Sequence, residues 1–291
     1  MTQHDVKQEI GRFYNEVGWQ MEQDGNFQNA RYEDLRPVSA EYIARAHARV
    51  AKHLPKNGRC LLDAGSGPVQ YDAYLQYSAG YEHRVCLDLS FVALKQARAK
   101  LGARGLYVVA DIANLPFKPE AFDGIVSLHT IHHLPADEKP GCYLGLYDRL
   151  TPGGSMVTVD GWAEHKLSKV WTLLIRLAER LRHKQHASSR SGQTENGQPT
   201  SPENKPAGTY VVKNNAAWFK TAVGSQLPAR ILTWRSVSVH FLRTVIQPEW
   251  GGKFWLKALY RLEEWFPRYF GENGQYPLIV ISKPQKDAPA K

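Results

Sequence analysis

The stretch LLDAGSGPVQYDAYL, Leu61 to Leu75, decides the fold. Leu61 and Leu62 are apolar enough for a buried strand, Asp63 closes that strand, and Gly65 and Gly67 then drop their side chains one residue apart. A helix is expected from about Val69 to Ser78. Strand, bare turn and helix form the opening unit of an open α/β sheet, whose ligand sits beyond the carboxyl ends of the strands. Glycine lets the backbone approach a ligand with no Cβ in the way, and the N–H groups that open the next helix point into the same space.

The pattern repeats outward from this unit. Upstream, Pro37 to Leu54 places Val38, Tyr42, Ala46, Val50 and Leu54 at four-residue spacing, a helix with Ser39 as its N-cap. Downstream, RVCLDLS reads as a second strand and FVALKQARAKLG as a helix closed by Gly102. GLYVVADIANLPF supplies a third strand and FDGIVSLHTIHHL a fourth. GSMVTVDGW, after a helix Lys139 to Leu150 and the turn TPGG, supplies a fifth. Strands alternating with helices at this spacing require right-handed crossovers and a parallel sheet covered on both faces.

Past Trp162 the regularity changes. Lys166 to Lys184 reads as a basic amphipathic helix with Leu167, Val170, Trp171, Leu174, Leu177 and Leu181 on its apolar face. His186 to Gly208 is rich in Ser, Gly, Pro, Asn and Gln, too polar to offset its ordering entropy, and is expected to be a mobile loop. YVVKNNAAWFKTAV then reads as a helix, ILTWRSVSVHF as an alternating strand, FWLKALYRLEEWF as a helix and YPLIVISKP as a last buried strand. The expected fold is α/β, a doubly wound, mostly parallel seven-stranded sheet with helical additions. The 291 residues are expected to form one domain: a flap and helix over 1–57, a ligand-binding core over 58–162, a lid or insertion over 163–230, and strands and a helix completing the sheet over 231–291.

Bulk properties narrow the class. Hydrophobic residues make up 43% of the chain, enough for a sizeable core. The segment MTQHDVKQEIGRFY is polar and no uncharged apolar run reaches spanning length, so a cytoplasmic protein is expected. Cys60, Cys86 and Cys142 are too few for a disulfide framework and lack metal-ligand spacing; no metal site is expected. The net charge of +9 is uneven, with 17 Lys+Arg against 19 Asp+Glu in residues 1–161 and 20 against 9 in residues 162–291. Such a basic half can serve anionic substrates, a membrane surface or nucleic acid, or be a solvated surface.

Three acids stand at or just past successive strand ends: Asp63, Asp88 in CLDLS and Asp111 in VVADIANLPF. A dinucleotide site asks for G-x-G-x-x-G with an acid about twenty residues on. Asp88 fits that spacing, but Gln70 stands where the third glycine belongs. The extra carboxylates would repel a pyrophosphate and suit a nucleoside carrying an amino-acid tail.

LLDAGSG, VCLDLS, ADIANLPF, FDGIVSLHTIHHL and LTPGGSMVTVDGW together resemble the class I S-adenosylmethionine-dependent methyltransferases, in the group of ubiquinone and menaquinone biosynthesis C-methyltransferases. The resemblance covers about Leu61 to Trp162, with YPLIVISKP in the place of the family's antiparallel strand. It implies S-adenosylmethionine as cofactor. Asp63, Gly65, Ser66 and Gly67 would surround its methionine end, Asp88 with Leu89 would bind the ribose hydroxyls, and Asp111 with Ile112 would recognise adenine. Ser127, Leu128 and His129 would line the cofactor beneath the reacting methyl, and Tyr14, in FYNEVGWQ, would close over it as part of a flap. Val69 stands where the family often has a further glycine.

A sulfonium methyl is already activated, so the site's task is alignment and exclusion of water. A base is needed only for a hydroxyl or acidic-carbon acceptor. His129 is the foremost candidate, while His132 and His133 start a loop and read rather as capping or packing residues. SLHT stands where base-methylating enzymes carry Asn/Asp-Pro-Pro-aromatic, which argues against nucleic acid and for a small or lipid-like acceptor. The aromatics of the second half, among them Trp171, Trp218, Phe219, Trp234, Trp250, Phe254, Trp255, Tyr260, Trp265 and Phe266, serve equally as core or as pocket lining. The basic helix 166–184 is either a packed lid or a peripheral membrane contact. Two other readings stand beside catalysis: a cofactor-binding module that serves only as a partner or regulator, and a nucleic-acid-associated enzyme. The acceptor atom and the oligomeric state are open.

Overall fold

The computed structural model describes residues 3–20, 33–189 and 209–285. Seven strands form one sheet: β1 (Gly58–Ala64), β2 (Tyr81–Asp88), β3 (Gly105–Val109), β4 (Phe122–Leu128), β5 (Leu150–Val159), β6 (Ala229–Arg235) and β7 (Tyr276–Ser282). Their order is β3-β2-β1-β4-β5-β7-β6, and β7 runs antiparallel between β5 and β6. The order reverses between β1 and β4, so the crevice beside β1 is the place for a ligand. Leu61, Leu62, Ile125, Val126, Met156 and Val157 are fully buried because the sheet is covered on both faces.

The helices are α1 (Gln3–Phe13), α2 (Ala40–Ala51), α3 (Phe91–Leu101), α4 (Glu138–Arg149), α5 (Ser168–Ser189), α6 (Ala216–Ala222), α7 (Val239–Val245), α8 (Gly252–Trp265) and α9 (Pro267–Asn273). Ser39 stands at the N-cap of α2 but gives no cap bond, because its hydroxyl donates to Asp34 Oδ2 at 2.6 Å. The helix expected from Val69 is a 3₁₀ segment confined to Asp72–Ser78. Pro68 and Val69, the latter at φ 53°, are what delay it.

Other departures lie in the second half. TPGG falls inside β5 as an excursion, the register with β4 shifting between Phe122 and Gly124. Of YVVKNNAAWFKTAV only Ala216–Ala222 is helical, since the Asn215 side chain caps that helix by accepting from the Trp218 N–H at 2.9 Å. The strand expected through Phe241 stops at Arg235, and Ser238 caps α7 by accepting from the Phe241 N–H at 3.0 Å. On α5 the packed face is Trp171, Leu174, Ile175 and Ala178, while Val170, Leu177 and Leu181 of the expected apolar face are exposed. The expected loop 186–208 loses its first four residues to α5, and the rest of it lies outside the described residues. No helix among the described residues is long and apolar enough to cross a membrane.

Candidate active site

The carboxyl ends of β1, β2 and β4 open into a cavity of about 380 Å³ roofed by α1 and the turn after it. Of the residues expected to bind cofactor, Asp63, Gly65, Ser66, Gly67, Asp88, Leu89, Asp111, Ile112, Leu128, His129 and Tyr14 all line it. Ser127 does not: it is buried in β4, its hydroxyl without a hydrogen-bond partner among the described residues, and Thr130 lines the cavity instead.

The three strand-end acids converge but are engaged differently. Asp63 is buried and paired with Arg84, whose Nε donates to it at 3.1 Å and whose Nη2 makes a second, shorter bond. Asp111 accepts from Lys7 at 2.7 Å, from the Ala113 N–H at 2.9 Å and from Asn114 at 2.8 Å. Burial works against its charge, yet these donors hold its carboxyl below the ordinary value. Among the described residues no cation pairs with Asp88: it accepts from the Gly67 N–H and the Ser90 N–H, each at 2.8 Å, and burial pushes it up to about 6. Two of the three charges are thus balanced internally, and they fix the shape of the site more than its field.

The glycines are required by the protein itself. Gly65 has φ 77°, and a Cβ there would stand 2.2 Å from Thr130 Cγ2; Gly67 has φ 53°, and a Cβ would stand 2.8 Å from the Trp19 ring. The bare turn therefore lets two side chains close over the cofactor loop, in addition to any approach by a ligand. Trp19 stacks on Tyr14 at 5.4 Å, so the flap is an aromatic pair seated on Gly67.

At the end of β4 the three histidines separate in role. His129 turns through φ 55° as its N–H donates to Val159 O at 2.7 Å. Its ring packs against Trp234 and Tyr276 at 5.1 and 5.7 Å, and burial drives its pKa down to about 4. His133 donates from Nδ1 to Tyr210 O at 2.7 Å and accepts from the Tyr14 hydroxyl at 2.8 Å, so both nitrogens are spent, and burial takes its pKa to about 3. His132 places Nδ1 2.6 Å from Asp160 Oδ1. Burial opposes the charge of Asp160, but His132 holds its carboxyl below the ordinary value. A carboxylate only accepts, which puts the proton on Nδ1 and leaves Nε2 as an acceptor. The pair forms because β4 and β5 run in register to Leu128 and Val159, so the residues just past both ends meet.

The remaining wall comes from distant segments: Tyr71, Tyr74, Trp234, Tyr276 and the buried pair of Glu33 with Arg235. The guanidinium lies 4.9 Å from the Trp234 ring and 4.8 Å from the Tyr276 ring. Arg235 Nε and Gln70 Nε2, both on residues that line the cavity, are buried without a hydrogen-bond partner among the described residues. Trp19 belongs to the expected flap, whereas Lys7, Glu33, Asp160, Arg235 and Tyr276 were not singled out as site residues from sequence. Asp160 alone carried a signal: it follows its strand as Asp111 follows the third. Of the aromatics named as candidate lining, only Trp234 reaches the cavity; Phe219 is core, and Phe254, Trp255, Trp265 and Phe266 are exposed. No cluster of metal-ligating side chains exists among the described residues.

A parallel sheet that reverses at β1, an acid at each of three strand ends, and an antiparallel β7 inserted beside β5 define a Rossmann-like methyltransferase fold. Residues 62–158 match the methyltransferase domain family. A malonyl-acyl-carrier-protein O-methyltransferase of Legionella pneumophila is 35% identical over 103 residues, 35% of this chain and 36% of that protein. A probable tRNA methyltransferase 9B of Homo sapiens is 30% identical over 135 residues, 45% of this chain and 28% of that protein. The chain thus spans about a third of the length of these curated relatives. Among solved structures, geranyl diphosphate methyltransferase in complex with GPP and sinefungin superposes with a TM-score of 0.53 at 14% identity, covering 96% of this chain and 99% of that one. The cyclase SpnF gives the same score at 15% identity, over 97% of both chains. The chain carries a class I S-adenosylmethionine-dependent methyltransferase domain, and S-adenosylmethionine is its cofactor. The ubiquinone subgroup finds no support among these relatives.

The residues fit that cofactor. Asp88, Asp111, the buried Ile112 and the turn at Gly65 to Gly67 all border the one cavity, where Asp88 would be the residue to hold the ribose hydroxyls, Asp111 and Ile112 the adenine, and the turn the methionine end.

Proposed function

We propose that this protein transfers a methyl group from S-adenosylmethionine to the oxygen of a small or lipid-like acceptor, with His132 as the general base. The observation that carries this reading is that His132, a residue lining the cavity, has its Nδ1 held 2.6 Å from Asp160 Oδ1. When bound, the cofactor supplies a methyl on a cationic sulfur that leaves with its electron pair. An acceptor hydroxyl gives its proton to His132 Nε2 as its oxygen takes the methyl, and the imidazolium so formed faces Asp160. His129 shapes the acceptor wall with Trp234 and Tyr276: with its pKa near 4 it is neutral at pH 7 and a weak base.

The wall of Tyr71, Tyr74, Trp234 and Tyr276 suits an apolar body, and the Arg235 edge a polar or anionic end. Similarity to an O-methyltransferase supports an oxygen acceptor. A second reading, an RNA acceptor, draws on the similarity to the tRNA methyltransferases and on the basic second half. A third, cofactor binding without methyl transfer, draws on the fold shared with a cyclase.

The test incubates purified protein and methyl-labelled S-adenosylmethionine with separate small-molecule, lipid and RNA fractions. Label in an ester or ether of the first two is expected; label in RNA alone, or in none, contradicts the proposal. With the active fraction, His132→Asn and Asp160→Asn are expected to lose about 10²–10⁴ in rate with cofactor affinity kept. His129→Asn is expected to lose much less. Full activity of His132→Asn would remove it as the base.

A further inference from the structure

Helix α8 buries Leu256 and Glu263 and packs Leu259 and Tyr260 on the apolar cluster of α2 and α7. At helical spacing, the opposite face carries Phe254, Trp255, Leu262 and Trp265, exposed by 67, 59, 41 and 70%. Phe266 and Tyr269, more than half exposed, continue this surface into α9. Exposed aromatics at this density on a folded surface mark a contact site.

The charge around them chooses the partner. Lys253, Lys257, Arg261 and Arg268 are exposed beside the aromatics. The acids of the same helix are paired within the protein: Glu263 is buried and accepts from Arg49 at 2.9 Å and Tyr42 at 2.8 Å, and the exposed Glu264 accepts from Arg49 at 2.8 Å and Lys52 at 3.1 Å. Helix α5 packs on the same cluster and repeats the arrangement, exposing Val170, Leu173 and Leu177 beside Lys169, Arg176 and Arg180. Apolar and aromatic side chains flanked by Lys and Arg match the boundary between acyl chains and anionic headgroups. A second copy of the chain is a poorer match, because two such faces would bring like charges together.

We infer that the exposed face of α8 and α9 docks on the surface of an anionic lipid bilayer. The contact is peripheral, made by side chains of helices that stay packed on the domain. It stands independently of the acceptor's identity, since its readout is adsorption and not turnover.

Flotation of the full chain with vesicles of phosphatidylcholine alone, and of phosphatidylcholine mixed with phosphatidylglycerol, tests this at physiological ionic strength. The protein is expected with the anionic vesicles and not with the neutral ones. The double variant Trp255→Ser, Trp265→Ser is expected to bind at least about tenfold more weakly, given the apolar area withdrawn from lipid. Removing one basic residue, as in Arg261→Gln, is expected to weaken binding about fivefold. Unchanged calorimetric affinity for S-adenosylmethionine checks that both variants are folded. Failure to float with anionic vesicles, equal binding to neutral ones, or binding indifferent to the tryptophans would each overturn the inference. So would a concentration-dependent dimer in sedimentation that the double variant abolishes, which would make the face a self-contact.

Discussion

The two sides of the cavity are charged by opposite means. On the side of β1 to β3, the carboxylates of Asp63 and Asp111 meet permanent cations, Arg84 and Lys7. On the side of β4 and β5, Asp160 meets the imidazole of His132. Fixed ion pairs thus frame the first side, while the second sets a carboxylate against a histidine. On the reading proposed above, the first frames the cofactor and the second takes the acceptor's proton.

The comparison breaks most visibly at Asp63. Asp63→Asn leaves the buried Arg84 without its counter-charge, which is expected to cost about 3–5 kcal/mol, a large part of a typical domain's stability. Denaturant midpoints measure it. A cost below about 1 kcal/mol would mean that the pair is not structural.

The Glu33 and Arg235 pair puts a permanent cation on the acceptor side as well, and its pH dependence tests how far the contrast holds. Burial works against the Glu33 charge, but Arg235 dominates and holds its carboxyl at about 2, against an ordinary 4.5. Because the folded value is the lower one, the stabilisation is present above about pH 4.5 and is lost as the pH falls towards 2. The shift corresponds to about 3 kcal/mol. Thermal melts of Glu33→Gln should therefore lie below wild type at neutral pH and approach it as the pH falls through that window. A constant gap would contradict the coupling.

The smallest effect is expected at Val69. Its φ of 53° is a poor conformation for a β-branched residue, and Val69→Gly relieves that strain. The same change empties a buried site against Cys86, Leu94 and Ala97. The two contributions oppose each other at similar size, so the midpoint should move by less than about 2 kcal/mol. A larger loss would show that packing alone decides the loop.

The same division explains what was legible in the sequence. β1, β2 and β3 each bring their acid within a few residues of an apolar run, so strand, acid and turn can be read together, and ten of the eleven positions expected to bind from Asp63 onward line the cavity. Ser127 fails because side chains alternate along a strand and the reading could not say which face Leu128 and His129 take. On the acceptor side, partners are brought together from far apart: 28 residues separate His132 from Asp160 and 202 separate Glu33 from Arg235. Only the strand register reveals the first pair, which is why His129 read as the better base. The aromatics of α8 show the same limit, since their number suggested lining while only the packing of Leu256 and Glu263 shows which face points out. Val69 was legible as a departure, though not its consequence, a left-handed residue that delays the next helix.

Calorimetric titration with S-adenosylmethionine, wild type against Asp88→Asn, addresses the central assignment most directly. Asp88 is the carboxylate proposed for the ribose hydroxyls, and with a value of about 6 before binding it would have to be ionised to accept both. The expected result is saturable binding by wild type that weakens as the pH drops below about 6, and a loss of tenfold or more with Asp88→Asn, about 1.4 kcal/mol. Equal affinity for the two proteins across that pH range would show that the cofactor lies elsewhere.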